Sequence, residues 1–369
     1  MSLDRHGNGP EPLEPRLVTW LGDVADGLDT GAQDPATVLP ALSAAGLPRV
    51  GVPSDLGGSG GDVTDAIAAI AAVSAHSLAA GFVLWSQRTY IEYLLQSPNT
   101  ALRDRFLPDL LDGRVAGATG LSNAMKFLAG LEELQITAKP RDAGERSRFI
   151  LDGKMPWVTN LRVEGFHVAA AVAHADGGAF IASLAHDDEG VSRSADLDLM
   201  AMRSTSTAAI GISRASLGPD RVIHPDAHKW LPEVRPAFLG LQCGMSIGLA
   251  RRSLDEARAS VGAGRSVLKE PIATLTRALA DQEQQLNRGI RAASFQRNAA
   301  PLFEIRIALA EIAAQAVALE LQASGGRAYL AGPGRAFARR WREAAFLPVI
   351  TPSLVQLKTA LAAREENAA

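Results

Sequence analysis

The sequence predicts an α+β chain of three domains: helical, then β, then helical again. Three observations predict it. Apolar residues recur at helical spacing up to about residue 115. From there to about 225 they form short runs bounded by Gly, Asp and Pro, and beyond that the helical spacing returns. A length of 369 residues exceeds what one compact core holds and suits two or three domains. A content of 47% hydrophobic and 21% charged residues is that of a globular protein. The expected domains are therefore 1–115 (helical), 116–225 (β) and 226–369 (helical bundle).

In the first domain, Asp62, Thr64 and Asp65 form a helix start after the glycine-rich run Gly57–Gly61. Ile67, Ile70, Val73 and Leu78 mark one apolar face. Residues Arg103 to Leu111 read as a short helix broken at Pro108. In the second, Arg148–Gly153, Phe166–Val172 and Ala179–Ser183 read as strands joined by turns. In the third, Ala237–Val261, Pro271–Ala293 and Pro301–Ala323 read as long helices. The breaks at Gly262–Gly264, Asn298 and Gly325–Gly326 suit an antiparallel bundle. No repeat occurs at solenoid spacing.

Composition excludes several classes. A net charge of −3 offers no field for nucleic acid, and no apolar run reaches the roughly 20 residues of a membrane span. The segment Met1–Pro15 is polar and lacks a signal-peptide layout, so a cytoplasmic location is expected. Cys243 is the single cysteine and sits in an apolar helical context, as a buried, inert thiol would. His224 and His228 have metal-like spacing, but the Pro225 loop context reads as a solvated linker. Gly57–Gly61 reads as a structural turn rather than a phosphate cradle. The arginines Arg335, Arg339, Arg340 and Arg342 read as a solvated or subunit-facing basic helix face, or else as one that meets an anionic cofactor or carrier protein.

Five motifs in order resemble the acyl-CoA dehydrogenase superfamily. Gly51-Val-Pro followed by Leu56-Gly-Gly-Ser-Gly resembles its N-terminal turn. Leu151-Asp-Gly-Lys-Met-Pro-Trp-Val-Thr-Asn160 resembles its Asn-Gly-x-Lys-x-Trp-Ile-Thr-Asn segment. Gly244–Ala257 resembles its Gly-Leu-Ala-x-x-Ala-Leu-x-x-Ala helix, Gln322–Gly326 its Gln-x-x-Gly-Gly, and Arg342-Glu-Ala its Arg-Asp-Ala. The resemblance implies a β-barrel-like middle domain and a C-terminal antiparallel four-helix bundle. It also implies FAD held between them, in a homodimer or homotetramer. By the same resemblance, Trp157, Val158 and Thr159, placed just past a strand and turn, cover and bond the flavin. Leu121 and Ser122 contact the isoalloxazine, and Gln322, Gly325 and Gly326 admit the ADP moiety. Arg235 matches a substrate-side arginine.

The chain departs from the family where the chemistry starts. Ungapped counting from Arg342 places Thr351 at the usual glutamate-base position, and Val234 at the alternative one on the bundle's first helix. Neither is a carboxylate, so the catalytic base is unassigned. Glu233 points elsewhere on the helix, and Glu343 is a substitute only if the register slips by a turn. The pyrophosphate arginine is replaced by Ser260-Val-Gly-Ala-Gly264, with Arg265 one place beyond as a substitute charge. The β domain's CoA-contacting serine is absent from Asn123–Gly130, which puts CoA recognition in question. Leu199–Thr207 resembles a Gly-Met-Arg-x-Thr-x-Ser run of relatives that include reduced-flavin monooxygenases, or else is a polar strand edge. The expectations are accordingly an FAD-dependent oxidoreductase desaturating an acyl thioester or related carbonyl compound with an electron acceptor, a monooxygenase supplied by a flavin reductase, or a non-catalytic paralogue.

Overall fold

A computed structural model describes residues 13–128, 130, 132–140 and 148–368. The segment Met1–Pro12, most of the stretch whose composition argues against a signal peptide, lies outside the described residues.

The chain begins with helices α1 (Pro15–Thr30), α2 (Val38–Ala44), α3 (Val63–Ser74), α4 (Leu78–Leu95) and α5 (Thr100–Leu111). The expected start of α3 is a capping box. The Asp62 carboxylate accepts the Thr64 N–H at 2.7 Å, and Asp65 accepts the Asp62 N–H at 2.8 Å. Gly57–Gly61 is a structural turn. Val52 bridges Gly60, and a Cβ on Gly58 would meet the Val52 carbonyl oxygen at 2.1 Å. Pro108 does not break α5, because burial of Leu107, Leu110 and Leu111 outweighs one lost helical hydrogen bond. α4 is buried along nearly its whole length and forms the centre of this layer.

The middle of the chain carries β1 (Ala116–Thr119), α6 (Ser122–Leu128), β2 (Ile136–Pro140), β3 (Phe149–Val158), β4 (Phe166–His174), β5 (Ala179–Ala185), β6 (Val191–Arg193), β7 (Ala208–Leu217) and β8 (Val222–His224). They form one eight-stranded sheet in the order β6-β7-β3-β2-β4-β5-β8, with β1 beside β4. β1 and β2 run parallel to β4, and the other pairings are antiparallel. β3 continues past the expected Gly153 to Val158, so Trp157 and Val158 lie within a strand rather than beyond one. Pro156 is accommodated by a register irregularity between Met155 and Val158, the usual way a sheet tolerates proline.

The C-terminal part comprises α7 (Ala227–Ser260), α8 (Lys269–Arg291), α9 (Ser294–Arg297), α10 (Ala300–Ser324), α11 (Arg335–Phe346) and α12 (Leu354–Ala368). α7 starts at Ala227 rather than Ala237 and runs through Pro232 and Pro236. Its Asp226 cap accepts the Lys229 N–H at 3.1 Å, and Trp230, Leu231 and Val234 are buried. The C-terminal ends of α7 and α10 lie side by side, with Ser260 and Ser324 hydroxyls 3.4 Å apart. α8 therefore returns between them, giving the up-down-up order of a bundle. Among the described residues no helix is long and apolar enough to cross a membrane.

The arginines of α11 are not the solvated face that their spacing suggests. Arg340 forms a two-pronged ion pair with Glu320 of α10, and both side chains are buried. Arg339 pairs with Glu343 at 3.1 Å and with Asp26 of α1 at 3.1 Å. The Arg342 Nε donates to Asp29 of α1 at 2.9 Å. Only Arg335 is well exposed. An arginine run looks solvated in sequence because, Glu343 apart, its acids lie 20 to 313 positions away.

One buried histidine gives the fold a pH dependence. His167 of β4 stacks on Phe106 of α5 with ring centroids 3.9 Å apart, and its Nδ1 has no hydrogen-bond partner. Burial, and then the Arg221 charge, push its pKa down to about 4 from 6.5. The unfolded chain thus binds this proton more readily, so the contribution is fully present above pH 6.5 and is lost as pH falls towards about 4. His167→Gln is expected to flatten the stability profile over that window by on the order of 3 kcal/mol. Denaturant midpoints measured from pH 7 to pH 4 check this; parallel profiles for variant and wild type count against it.

Candidate functional site

Buried polar groups of α4 shape the segment after β3. Gln87 accepts the Gly117 N–H at 2.6 Å and an Asn160 amide N–H at 2.9 Å, while its own amide donates to the Leu110 carbonyl at 2.8 Å. Asn160 has a φ of 64°, a left-handed conformation that asparagine tolerates. Ser86 bonds the Thr159 carbonyl at 3.2 Å. The run Ser86–Thr89, polar inside an otherwise apolar helix, was the sequence signal for these positioning residues.

The Thr159 hydroxyl belongs to a directed chain. Thr205 donates to the Met202 carbonyl at 2.9 Å, so the 2.8 Å contact between Thr205 and Thr207 must use the Thr207 proton. The 2.9 Å contact between Thr159 and Thr207 then uses the Thr159 proton. Thr159 can therefore accept from a ligand but has no proton left to donate. Val158 is buried against Ala208 across the sheet, whereas Trp157 leaves 62% of its surface exposed. Leu121 is fully buried, with no atom open to solvent. Ser122 joins Lys154, Met155 and Pro156 around a hollow of about 10 Å³, room for no more than a water molecule. The hollow thus places Ser122 near Met155 and Pro156, the residues just before Trp157.

A second group forms where α7 and α10 end. Arg265 Nη1 donates to the Ala323 carbonyl at 2.8 Å, which caps the end of α10. Its Nη2 lies 2.5 Å from where a Cβ on Gly325 would sit, so the glycine, at φ 61°, makes room for the guanidinium. Gly326 has no atom within 4 Å of such a Cβ, and Gln322 is exposed. No hydrogen bond or ion pair among the described residues joins this group to the first.

The third feature is a cavity of 440 Å³ among α6, α7, α9, α10 and α12. Arg235, Arg297 and Arg364 line it with Gln296, Gln356 and Thr359, over an apolar floor that includes Leu128, Phe303 and Leu357. Pro352 also lines it, and Pro352 and Arg235 are the neighbours of Thr351 and Val234. A sequence neighbour of each base position therefore lines one cavity, and no acid among the described residues lines it. Val234 itself is buried. Thr351 is half-buried, and its carbonyl accepts the Gln242 amide at 3.1 Å. Gln242 in turn accepts from buried Arg306 at 2.8 Å, which also donates to the Leu347 carbonyl at 2.8 Å. Glu343 is fully buried and committed to Arg339 and the Leu78 N–H at the start of α4, so it supplies no base. Glu233 is exposed.

A sequence profile described as "Acyl-CoA dehydrogenase, N-terminal domain" matches residues 21–114. The fold is that of butyryl-CoA dehydrogenase from Megasphaera elsdenii, with a TM-score of 0.76 at 16% identity over 95% of this chain and 96% of that one. The N-terminal region thus matches the acyl-CoA dehydrogenase family, and the whole chain has the acyl-CoA dehydrogenase fold. KijD3 in complex with FMN and a dTDP-linked amino-keto sugar shares this fold, with a TM-score of 0.78 at 20% identity over 95% of this chain and 91% of that one. Dibenzothiophene monooxygenase from Paenibacillus sp. A11-2 does so as well, with a TM-score of 0.73 at 16% identity over 93% of each chain. No curated protein matches the sequence. This acyl-CoA dehydrogenase fold therefore carries both dehydrogenases and a monooxygenase.

Within this superfamily fold, Leu199–Thr207 is a loop before β7 rather than a strand edge. It is tied to the end of α1, where the Met202 N–H donates to the Asp29 carboxylate at 3.0 Å and the Ser204 N–H to the Leu28 carbonyl at 2.9 Å. Cys243 is fully buried, and burial pushes its thiol up to about 12, so it is inert at neutral pH. His224 stacks near Trp230 and His228 packs on Phe127, so the two imidazoles face different neighbours.

Proposed function

We propose that the protein is an FAD-dependent oxidoreductase that works without a carboxylate base, and that oxygenation of a bound substrate by reduced flavin fits its site better than desaturation. The observation that carries this reading is the cavity beside Thr351 and Val234, whose described lining holds three arginines and no acid. Removal of an α-proton needs an acceptor near that carbon, and an arginine, protonated at any working pH, is not one.

The residues present fit a flavin. Trp157 offers an exposed indole to cover a ring face, and Thr159 offers an acceptor to a ring N–H. Gln322, Gly325, Gly326 and the free N–H groups of Arg265 suit the nucleotide end, with bare backbone allowing close approach. Because the two groups share no bond within one chain, a homodimer or homotetramer joining them across copies belongs to the same reading, as does a cytoplasmic location. When bound, FAD supplies two-electron redox chemistry and, once reduced, reactivity towards O₂. The chain's part is to hold the substrate through Arg235, to keep the ring in place and to exclude competing proton transfer. A separate flavin reductase is the implied partner.

The second reading, α,β-desaturation of an acyl thioester with transfer to an electron acceptor, is favoured by the match of residues 21–114 to the dehydrogenase N-terminal domain. An absorption spectrum of the purified protein, followed by anaerobic addition of butyryl-CoA, separates the two. Loosely held FAD that butyryl-CoA does not bleach, and that reoxidises in air after external reduction, is the expected result. Bleaching by the thioester would establish desaturation, and failure to bind any flavin would leave the non-catalytic paralogue.

A further inference from the structure

The cavity between α7, α10 and α12 holds an arginine that is neither paired with an acid nor, like buried Arg306, bonded to a glutamine oxygen and a backbone carbonyl. Arg339, Arg340 and Arg342 each meet a carboxylate, and Arg88 has Glu92 within 3.6 Å. Arg235 has none. Its guanidinium lies over the Phe303 ring at 5.4 Å, and its buried Nε lacks any hydrogen-bond partner. Arg364 stands on the same cavity, anchored by the Asn298 side chain at 3.1 Å, and Arg297 completes the set. Burial, and then the Arg364 charge, hold the Arg235 guanidinium below its usual pKa. Like charges gathered on one half-enclosed space, without a protein counter-ion among the described residues, are unfavourable until an anion enters. A chain of nearly balanced composition, with 37 basic and 40 acidic residues, had acids to spare for them.

We propose that this cavity binds a small amphiphilic acid, its carboxylate or phosphate held by Arg235 with Arg364 and Arg297, and its hydrocarbon part lying on Phe303, Leu357 and Leu128. The floor supplies the apolar contact, and Gln296, Gln356 and Thr359 supply neutral hydrogen bonds at the rim. Arginine is suited to this task because its planar fork matches both oxyanions. At 440 Å³ the cavity falls within the range of small-molecule sites. The proposal rests on the reading of this cavity as the substrate pocket, and it defines the substrate class as one already ionised at neutral pH. A reaction that releases a free acid or a phosphate ester must therefore precede this step.

The test is calorimetric titration of the purified full-length protein in phosphate-free buffer with hexanoate, hexyl phosphate and neutral hexanamide. Either anion is expected to bind at least tenfold more tightly than hexanamide, and the better of the two identifies the headgroup. Arg235→Gln is expected to weaken that anion at least tenfold. Arg364→Gln, on an exposed side chain that puts folding at little risk, is expected to weaken it severalfold, while Arg277→Gln, remote and paired with Glu270, leaves it unchanged. Equal binding of the amide, no binding of either anion, or full retention of affinity in both Arg235→Gln and Arg364→Gln overturns the proposal. Flavin content of the same preparation is read separately. Anion binding without flavin keeps the acid site and removes the oxidoreductase reading, whereas flavin without anion binding does the reverse.

Discussion

Alanine in place of Glu320 is expected to lower the unfolding free energy by about 3–5 kcal/mol, read from guanidinium denaturation. Glu320 and Arg340 retain only 2% and 5% exposure in their side chains, and they join α10 to α11 through two parallel N–H···O contacts, one of them at 3.0 Å. Removing the acid leaves the guanidinium charged and enclosed, and that uncompensated charge, rather than the lost attraction, makes the effect large. The same reasoning predicts recovery. The double replacement Glu320→Leu with Arg340→Met removes both charges and is expected to restore most of the loss. As a reference, Glu270→Ala at the exposed pair with Arg277 should leave stability almost unchanged. A Glu320→Ala effect as small as that of the reference would show that α11 can shift to hydrate Arg340.

The wild-type protein is expected to show little or no dehydrogenation of butyryl- to palmitoyl-CoA, and Thr351→Glu is the single change expected to create some. A positioned carboxylate base contributes roughly 10²–10⁴-fold to such a reaction, so its absence should be plain in any assay that follows acceptor reduction. The backbone at 351 is held in place: Gln242 bonds its carbonyl, and Arg306 steadies Gln242 from behind. A glutamate there would stand beside Pro352 at the edge of the arginine-lined cavity. The neighbouring positive charges would keep it ionised, and they would also weaken it as a base. Turnover in the variant should thus be measurable yet well below that of a dehydrogenase with the usual base. Rapid turnover by the wild type would refute the missing-base argument, because Glu343 is fully engaged by Arg339 and the Leu78 N–H.

The α, β, α order was legible because hydrophobic period survives tertiary context, and the α3 cap because it is local in sequence. Proline was the main source of error. Pro108, Pro156, Pro232 and Pro236 each suggest an end, yet each lies inside an element, because packing of its neighbours outweighs one missing N–H. The arginines of α11 look solvated for a different reason: apart from Glu343, their acids lie on other helices. Asp26 and Asp29, three apart on α1, were the available sign, and only in hindsight. The site shows the same division. Thr159 and Gly325 are candidates that motifs alone suggest, whereas the direction of the hydroxyl chain depends on Met202 and Thr205. The cavity likewise assembles Arg235, Arg297 and Arg364 from three different helices.

Asp29 gives the chain's synthesis an order of its own. Its carboxylate, 1% exposed, receives the Met202 N–H and the Arg342 guanidinium, 173 and 313 positions further on. Translation makes α1 first among the described helices, but the donors that neutralise this acid emerge in the middle and near the end. Until Arg342 has left the ribosome, α1 holds an ionised group that would have to enter the interior without its cation. The ties of α1 to the loop before β7 and to α11 are therefore both in place only after Arg342 has been made.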